Sequence, residues 1–173
     1  CPGPSKTFTI TVKPTPNVVQ PADQSLCNGS ATTAVSFSSA VSGAIFSWTN
    51  SNPSIGLTAS GNGNLPSFTA VNLTTASVNA TITVTPSANG CPGPSQSFTI
   101  TVNPTPNVLQ PANQSICNAA ATSAVNFAGA VSGTGFSWMN SNTSIGLAAS
   151  GNGNLPSFTA INLTNANVTA TIT

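Results

Sequence analysis

The chain has 173 residues but only two lysines, one aspartate and no histidine, for a formal net charge of +1. Without paired carboxylates, histidines or a basic patch, it excludes acid–base and triad catalysis, histidine metal sites and phosphate-backbone binding, so neither an enzyme nor a nucleic-acid partner is expected. No cofactor is expected, and no apolar run reaches the length of a membrane span.

Taken in chain order, the sequence repeats after ninety residues. Aligned on 91–173, residues 1–83 differ at 21 positions and agree at 62 of 83. A block that long buries its own core, so the pattern predicts beads on a string and not stacked solenoid turns. Residues 1–15 are predicted to be the last strand and linker of a preceding repeat. Residues 16–104 make a complete repeat, and 105–173 a following repeat truncated before its last strand. Pro14-Thr15-Pro16-Asn17, which recurs as Pro104-Thr105-Pro106-Asn107, reads as a short stiff hinge because each proline fixes φ and disfavours helix.

Within one period, alternation with a period of two dominates. Residues 17–20 read as an edge segment, and Leu26-Cys27 follows. Residues 34–41 form a strand with Val35 and Phe37 on one face. Residues 45–50 carry Phe46 and Trp48 on a common face, and 67–73 carry Phe68 and Val71. Along 77–85, Val78, Ala80, Ile82 and Val84 point inward. Along 95–103, Phe98, Ile100 and Val102 do the same. The last two strands are sequential and are predicted to pair as a hairpin. About seven short strands per period predict an all-β fold of tandem immunoglobulin-like sandwiches, each with two packed antiparallel sheets.

Trp48 and Trp138, with Phe46 and Phe136 on the same faces, are the candidate core anchors, a large ring filling the gap between sheets. The alternative use of these rings is stacking on glycans at the surface. Gly61-Asn62-Gly63-Asn64 recurs unchanged at 151–154. Turn geometry and duplication account for it, and the functional alternative is a contact loop presenting Asn62, Asn64, Asn152 and Asn154 to a ligand or neighbour. The single acid, Asp23, is replaced by Asn113 in the second copy, which argues against a calcium site. Asn28, Asn72, Asn79, Asn113, Asn142, Asn162 and Asn167 begin Asn-x-Ser/Thr triplets.

Two cysteines fall in each period. A bond between Cys27 and Cys91 would close one unit and leave Cys1 and Cys117 to pair with residues of neighbouring repeats outside these 173 residues. The competing scheme joins Cys1 to Cys27 and Cys91 to Cys117. The first is favoured because Cys91 lies in the loop between the last two strands and Cys27 can lie at the same end of the sandwich. Closing that loop would stabilise by roughly 4 kcal/mol in the chain-entropy model. Paired cysteines imply an oxidising compartment: the periplasm, the cell surface or the extracellular space.

Pro-Thr-Pro-Asn-Val, Gln-Ser-Leu/Ile-Cys-Asn at 24–28 and 114–118, Phe-Ser-Trp at 46–48 and 136–138, and Cys-Pro-Gly-Pro-Ser ahead of Phe-Thr-Ile-Thr-Val together carry a resemblance. The chain resembles the PKD-like, immunoglobulin-type repeats of very large Bacteroidota surface proteins, such as gliding-motility adhesins exported by the type IX secretion system. The resemblance implies the shaft of a long surface adhesin or filament on the exterior of the outer membrane. Its partners would be neighbouring repeats of the same chain, with surface glycans or self-association as further options. Membrane attachment would come only through other segments. A carbohydrate-binding module and a self-assembling fibre or sheath subunit are the alternative functions.

Overall fold

Alternating apolar residues at 78–84 and 98–102 can bury one face only if the two segments lie side by side as strands. In the computed structural model, which describes residues 1–173, they do. The chain divides into two compact units, Cys1–Pro104 and Thr105–Thr173. The first carries β1 (Gln24–Cys27), β2 (Ile45–Asn50), β3 (Ser60–Asn62), β4 (Val78–Ala88), β5 (Cys91–Pro92) and β6 (Gln96–Asn103).

These strands form one sheet in the order β1-β6-β4-β2-β3, with β5 folded onto the end of β4. β4 and β6 pair antiparallel from Val78 opposite Val102 to Val84 opposite Gln96. Ala80, Ile82, Val84, Phe98, Ile100 and Val102 are all buried on their inner face. Each such Val, Ile or Phe contributes about 1.5–3 kcal/mol of burial. Beyond Val84, β4 continues to Ala88 and turns back through Asn89 (φ 55) and Gly90 (φ 81), so that Ala88 faces Cys91. Two left-handed residues in a two-residue Asn-Gly connection make a type I′ hairpin turn.

Three expectations need correction here. The sheet is mixed and not antiparallel throughout, because β1 pairs parallel to β6, Gln24 opposite Ile100 and Leu26 opposite Val102. Partners in β1 and β6 lie more than seventy residues apart in the chain, so no tight hairpin turn obliges them to run antiparallel. The segments predicted as strands at 34–41 and 67–73 form no regular ladder. They lie against each other through single bridges, Ala31 with Thr69 and Val35 with Leu65. Backbone bonds such as Thr32 N–H to the Phe68 carbonyl and Ala70 N–H to the Ser30 carbonyl join them, and side chains add more. The Thr32 hydroxyl accepts from the Phe68 N–H at 3.0 Å, Asn64 accepts from the Phe37 N–H at 2.9 Å, and Asn28 accepts from the Asn72 N–H at 2.8 Å. Residues 17–20 are also no strand; Val18 is buried, and the Val19 N–H reaches the Ser38 carbonyl.

This second, irregular layer closes the core. Phe37, Leu65 and Ala70 pack with Trp48, Ile55, Leu57 and the inner faces of β4 and β6. Two buried asparagines are fully engaged. Asn50 donates to the Leu57 carbonyl and accepts from the Asn52 N–H, and Asn72 donates to Val102 and Ala76 carbonyls and accepts from the Thr74 N–H. That satisfaction lets polar side chains sit inside without a desolvation penalty.

The second unit holds β7 (Ser137–Met139) and β8 (Ser150–Asn152), paired antiparallel with Trp138 opposite Gly151. Its core is smaller: Trp138, Leu147 and Leu155, flanked by Val125, Phe127, Ile145 and Phe158. Bridges join Ala121 to Thr159, Val125 to Leu155 and Asn140 to Ile172.

Candidate functional site

Trp48 sits in β2 between two partners, Val84 of β4 and Gly61 of β3. Its ring is buried, and its six-membered ring fills the space a β-carbon on Gly61 would occupy. Trp138 stands in the same relation to Gly151. Both indole N–H groups are buried without a hydrogen-bond partner. These rings are therefore not available as a surface for stacking glycans. Phe46 and Phe136 are half-buried and meet Phe37 and Phe127, ring centroids 5.7 Å apart in each unit.

The recurring Gly-Asn-Gly-Asn loop is mostly committed to this packing. Gly61 makes room for the tryptophan. Gly63 takes φ 72 and donates its N–H to the Phe46 carbonyl at 2.8 Å. Asn64 holds the Phe37 backbone, and Asn154 holds Phe127 at 3.0 Å while donating to Asn126. Asn62 and Asn152 are the members that turn exposed side chains outward with no structural bond of their own. Sequence reasoning recognised the loop but not the purpose of its first glycine; the signal was the tryptophan at fixed distance upstream.

A shallow groove of ≈ 380 Å³ runs between the β1 end and the 33–36 segment, and it contains the only carboxylate. Its carboxylate and its amide are both engaged. Asp23 accepts from the Thr99 N–H at 2.6 Å, and the Gln24 amide bridges both the carbonyl and the N–H of Thr33 at 2.9 Å. No group of three His, Cys, Asp or Glu side chains is placed to hold a metal ion.

The cysteine pairing is a correction. Cys1, Cys27, Cys91 and Cys117 are all free thiols. Cys27 lies opposite Asn103, at the last residue of β6, whereas Cys91 lies opposite Ala88, at the far end of β4. Val78, at the near end of β4, is level with Val102 and so with Leu26. The two cysteines are thus separated by nearly the whole eleven-residue length of β4, roughly 30 Å at the rise of a strand. A disulfide needs α-carbons within about 7 Å. The expectation failed because it put Cys27 at the end of the sandwich that holds the β4–β5 turn.

Among the Asn-x-Ser/Thr triplets, Asn72 is buried with its amide donating to two carbonyls, and the Asn142 amide donates to the Thr169 carbonyl. Asn79 is exposed.

A mixed β-sheet backed by an irregular second layer, with a tryptophan between them and no catalytic or metal constellation, defines an immunoglobulin-like β-sandwich module. Residues 23–106 match the family model described as the PKD-like domain, and the chain contains such a domain there. Comparison with curated proteins returns no match.

Proposed function

We propose that the chain is part of the structural shaft of a long extracellular adhesin or surface filament, built from tandem PKD-like repeats that space and support a binding region elsewhere. In this reading 16–104 is one repeat, 105–173 most of the next, and 1–15 the closing strand of the one before. The observation that carries it is the near-copying of the block, 62 of 83 aligned positions, together with the same Trp–Gly packing in both copies. A role that depends on repetition tolerates identical units, whereas an active site needs one specialised unit. The poverty of charge also fits beads that must lie near one another without long-range repulsion. The resemblance to Bacteroidota repeats supports reading it as a protein outside the outer membrane, exported by the type IX route, with neighbouring repeats as its partners and no catalysis of its own.

The test is made in the organism that encodes it. Deleting one ninety-residue period should leave export and adhesion intact and shorten the reach of the surface structure. Loss of adhesion on deletion of a single period would refute the reading. A carbohydrate-binding role is the second reading, favoured only by the outward-facing Asn62 and Asn152. Glycan-array binding lost on Asn62→Ala would support it.

A further inference from the structure

Residues 13–20 cross the first unit as a strap and belong to no strand. Lys13 donates through Nζ to the Asn89 carbonyl at 2.7 Å, in the turn between β4 and β5. Pro16 is fully buried, and its carbonyl oxygen fills the space that a β-carbon on Gly93 would need. Gly93 is itself fixed, its N–H donating to the Pro86 carbonyl at 2.8 Å. One residue further on, the Asn17 side chain accepts from the Ala40 N–H at 2.8 Å, and the Val19 N–H donates to the Ser38 carbonyl at 3.1 Å. Val18, between them in sequence, is buried. The Gln20 amide makes the last hold, donating to the Ser97 carbonyl at 2.6 Å.

The second unit carries the same middle hold. Asn107 accepts from the Ala130 N–H at 2.7 Å, and the Leu109 N–H donates to the Ala128 carbonyl at 2.8 Å. Gly129 there leaves room for the Asn107 carbonyl. The strap is thus a property of the repeat.

The strap and β6 flank the first unit in sequence and are held differently. β6 is laddered on both sides, to β4 from Val102–Val78 to Gln96–Val84 and to β1 from Ile100–Gln24 to Asn103–Cys27. The strap is held by separate bonds, and Pro16 and Val18 are its only buried residues. Segments with few bonds and little buried apolar surface open at lower free energy than central strands. Tension along the chain breaks the strap's bonds in turn, beginning at Lys13, whereas the ladder bonds of β6 share the load.

We propose that residues 13–20 are a latch that opens and closes as one unit while the sheet stays intact. Tension frees this segment first, up to roughly 28 Å of extended chain, and leaves the core around Trp48 closed. The use of the latch under load rests on the shaft reading, but its opening does not. The period-deletion experiment and the one below can therefore fail separately.

The experiment is native-state amide hydrogen exchange on the 173-residue chain, read residue by residue by NMR at urea concentrations below unfolding. The Val19 and Ala40 amides should exchange through one shared opening with weak urea dependence, at least tenfold faster than amides in the middle of β4 and β6. Gly93→Ala, which sets a β-carbon against Pro16, should abolish protection at Val19 and Ala40 and leave β4 and β6 protected. Asn17→Ala, which removes the acceptor for Ala40, should speed exchange at Val19 at least tenfold with the same retained protection, and it decides the matter if Gly93→Ala fails to fold. Val19 and Ala40 amides that exchange only together with β4 and β6 overturn the proposal. So do openings of different urea dependence at Val19 and Ala40, a Val19 amide indifferent to Asn17→Ala, or an Asn17→Ala chain that loses protection in β4 and β6 as well.

Discussion

The six-membered ring of Trp48 lies against the α-carbon of Gly61, its antiparallel partner across β2 and β3, with no space for a β-carbon between them. Gly61→Ala must therefore push the ring or the β3 strand aside. Overpacking of this kind costs about 1–3 kcal/mol, and urea unfolding should show that loss. Gly63→Ala meets open space and only the left-handed φ of 72, so its cost should be smaller, about 1 kcal/mol. Equal losses at the two positions would mean that backbone conformation, and not the tryptophan, dictates the first glycine.

The indole N–H of Trp48 is buried without a partner, which costs about 1–3 kcal/mol in the native protein. Trp48→Phe removes that donor while keeping most of the ring. Trp48→Ala removes the ring and should cost about 3–5 kcal/mol. The phenylalanine variant should lose less than half as much. Comparable losses in chemical denaturation would show that the N–H is satisfied after all.

One difference between the copies places a strained residue in the second unit. Gly29 has φ 82, and its counterpart Ala119 is held at φ 67. Left-handed backbone costs alanine about 1–2 kcal/mol, against roughly 0.5–1 kcal/mol of extra unfolded-state entropy for glycine. Ala119→Gly should therefore raise the stability of the second unit by about 0.5–1 kcal/mol, read from Trp138 fluorescence in a Trp48→Phe background. A decrease would contradict the strain.

Much of the first unit is legible in the sequence because its β4–β6 hairpin is local and cleanly alternating. Val78, Ala80, Ile82 and Val84 announce their face, and Phe98, Ile100 and Val102 theirs. The Asn89-Gly90 pair also announces a hairpin turn, a signal the sequence reading passed over. What is not legible depends on distant partners. Nothing local to 24–27 says that it runs parallel beside 100–103. Nothing in the pattern of 31–37 says that Thr32 and Asn64 side chains will stand in for ladder bonds. The cysteine pairing failed for the same reason, since it required knowing which end of the sheet Cys27 reaches. In the recurring loop, glycine spacing reveals a turn, but only the cross-strand register shows that Gly61 serves Trp48.

The cysteine geometry has its own consequence. With Cys27 and Cys91 at opposite ends of the sheet, neither supports the fold through a bond. Cys27→Ser should shift stability by less than about 0.5 kcal/mol, as surface changes usually do, and adding reductant should leave the urea midpoint unchanged. A midpoint that falls on reduction would show a disulfide within the chain.

The central claim is that a single ninety-residue block closes into its own module around one tryptophan, and residues 16–104 alone test it most directly, because Trp48 is their only tryptophan. Denaturant unfolding of that segment, followed by Trp48 emission and circular dichroism, should give one cooperative transition from a sheet-rich state with blue-shifted fluorescence. Solvent-exposed emission without a sheet signature under native conditions would contradict the account.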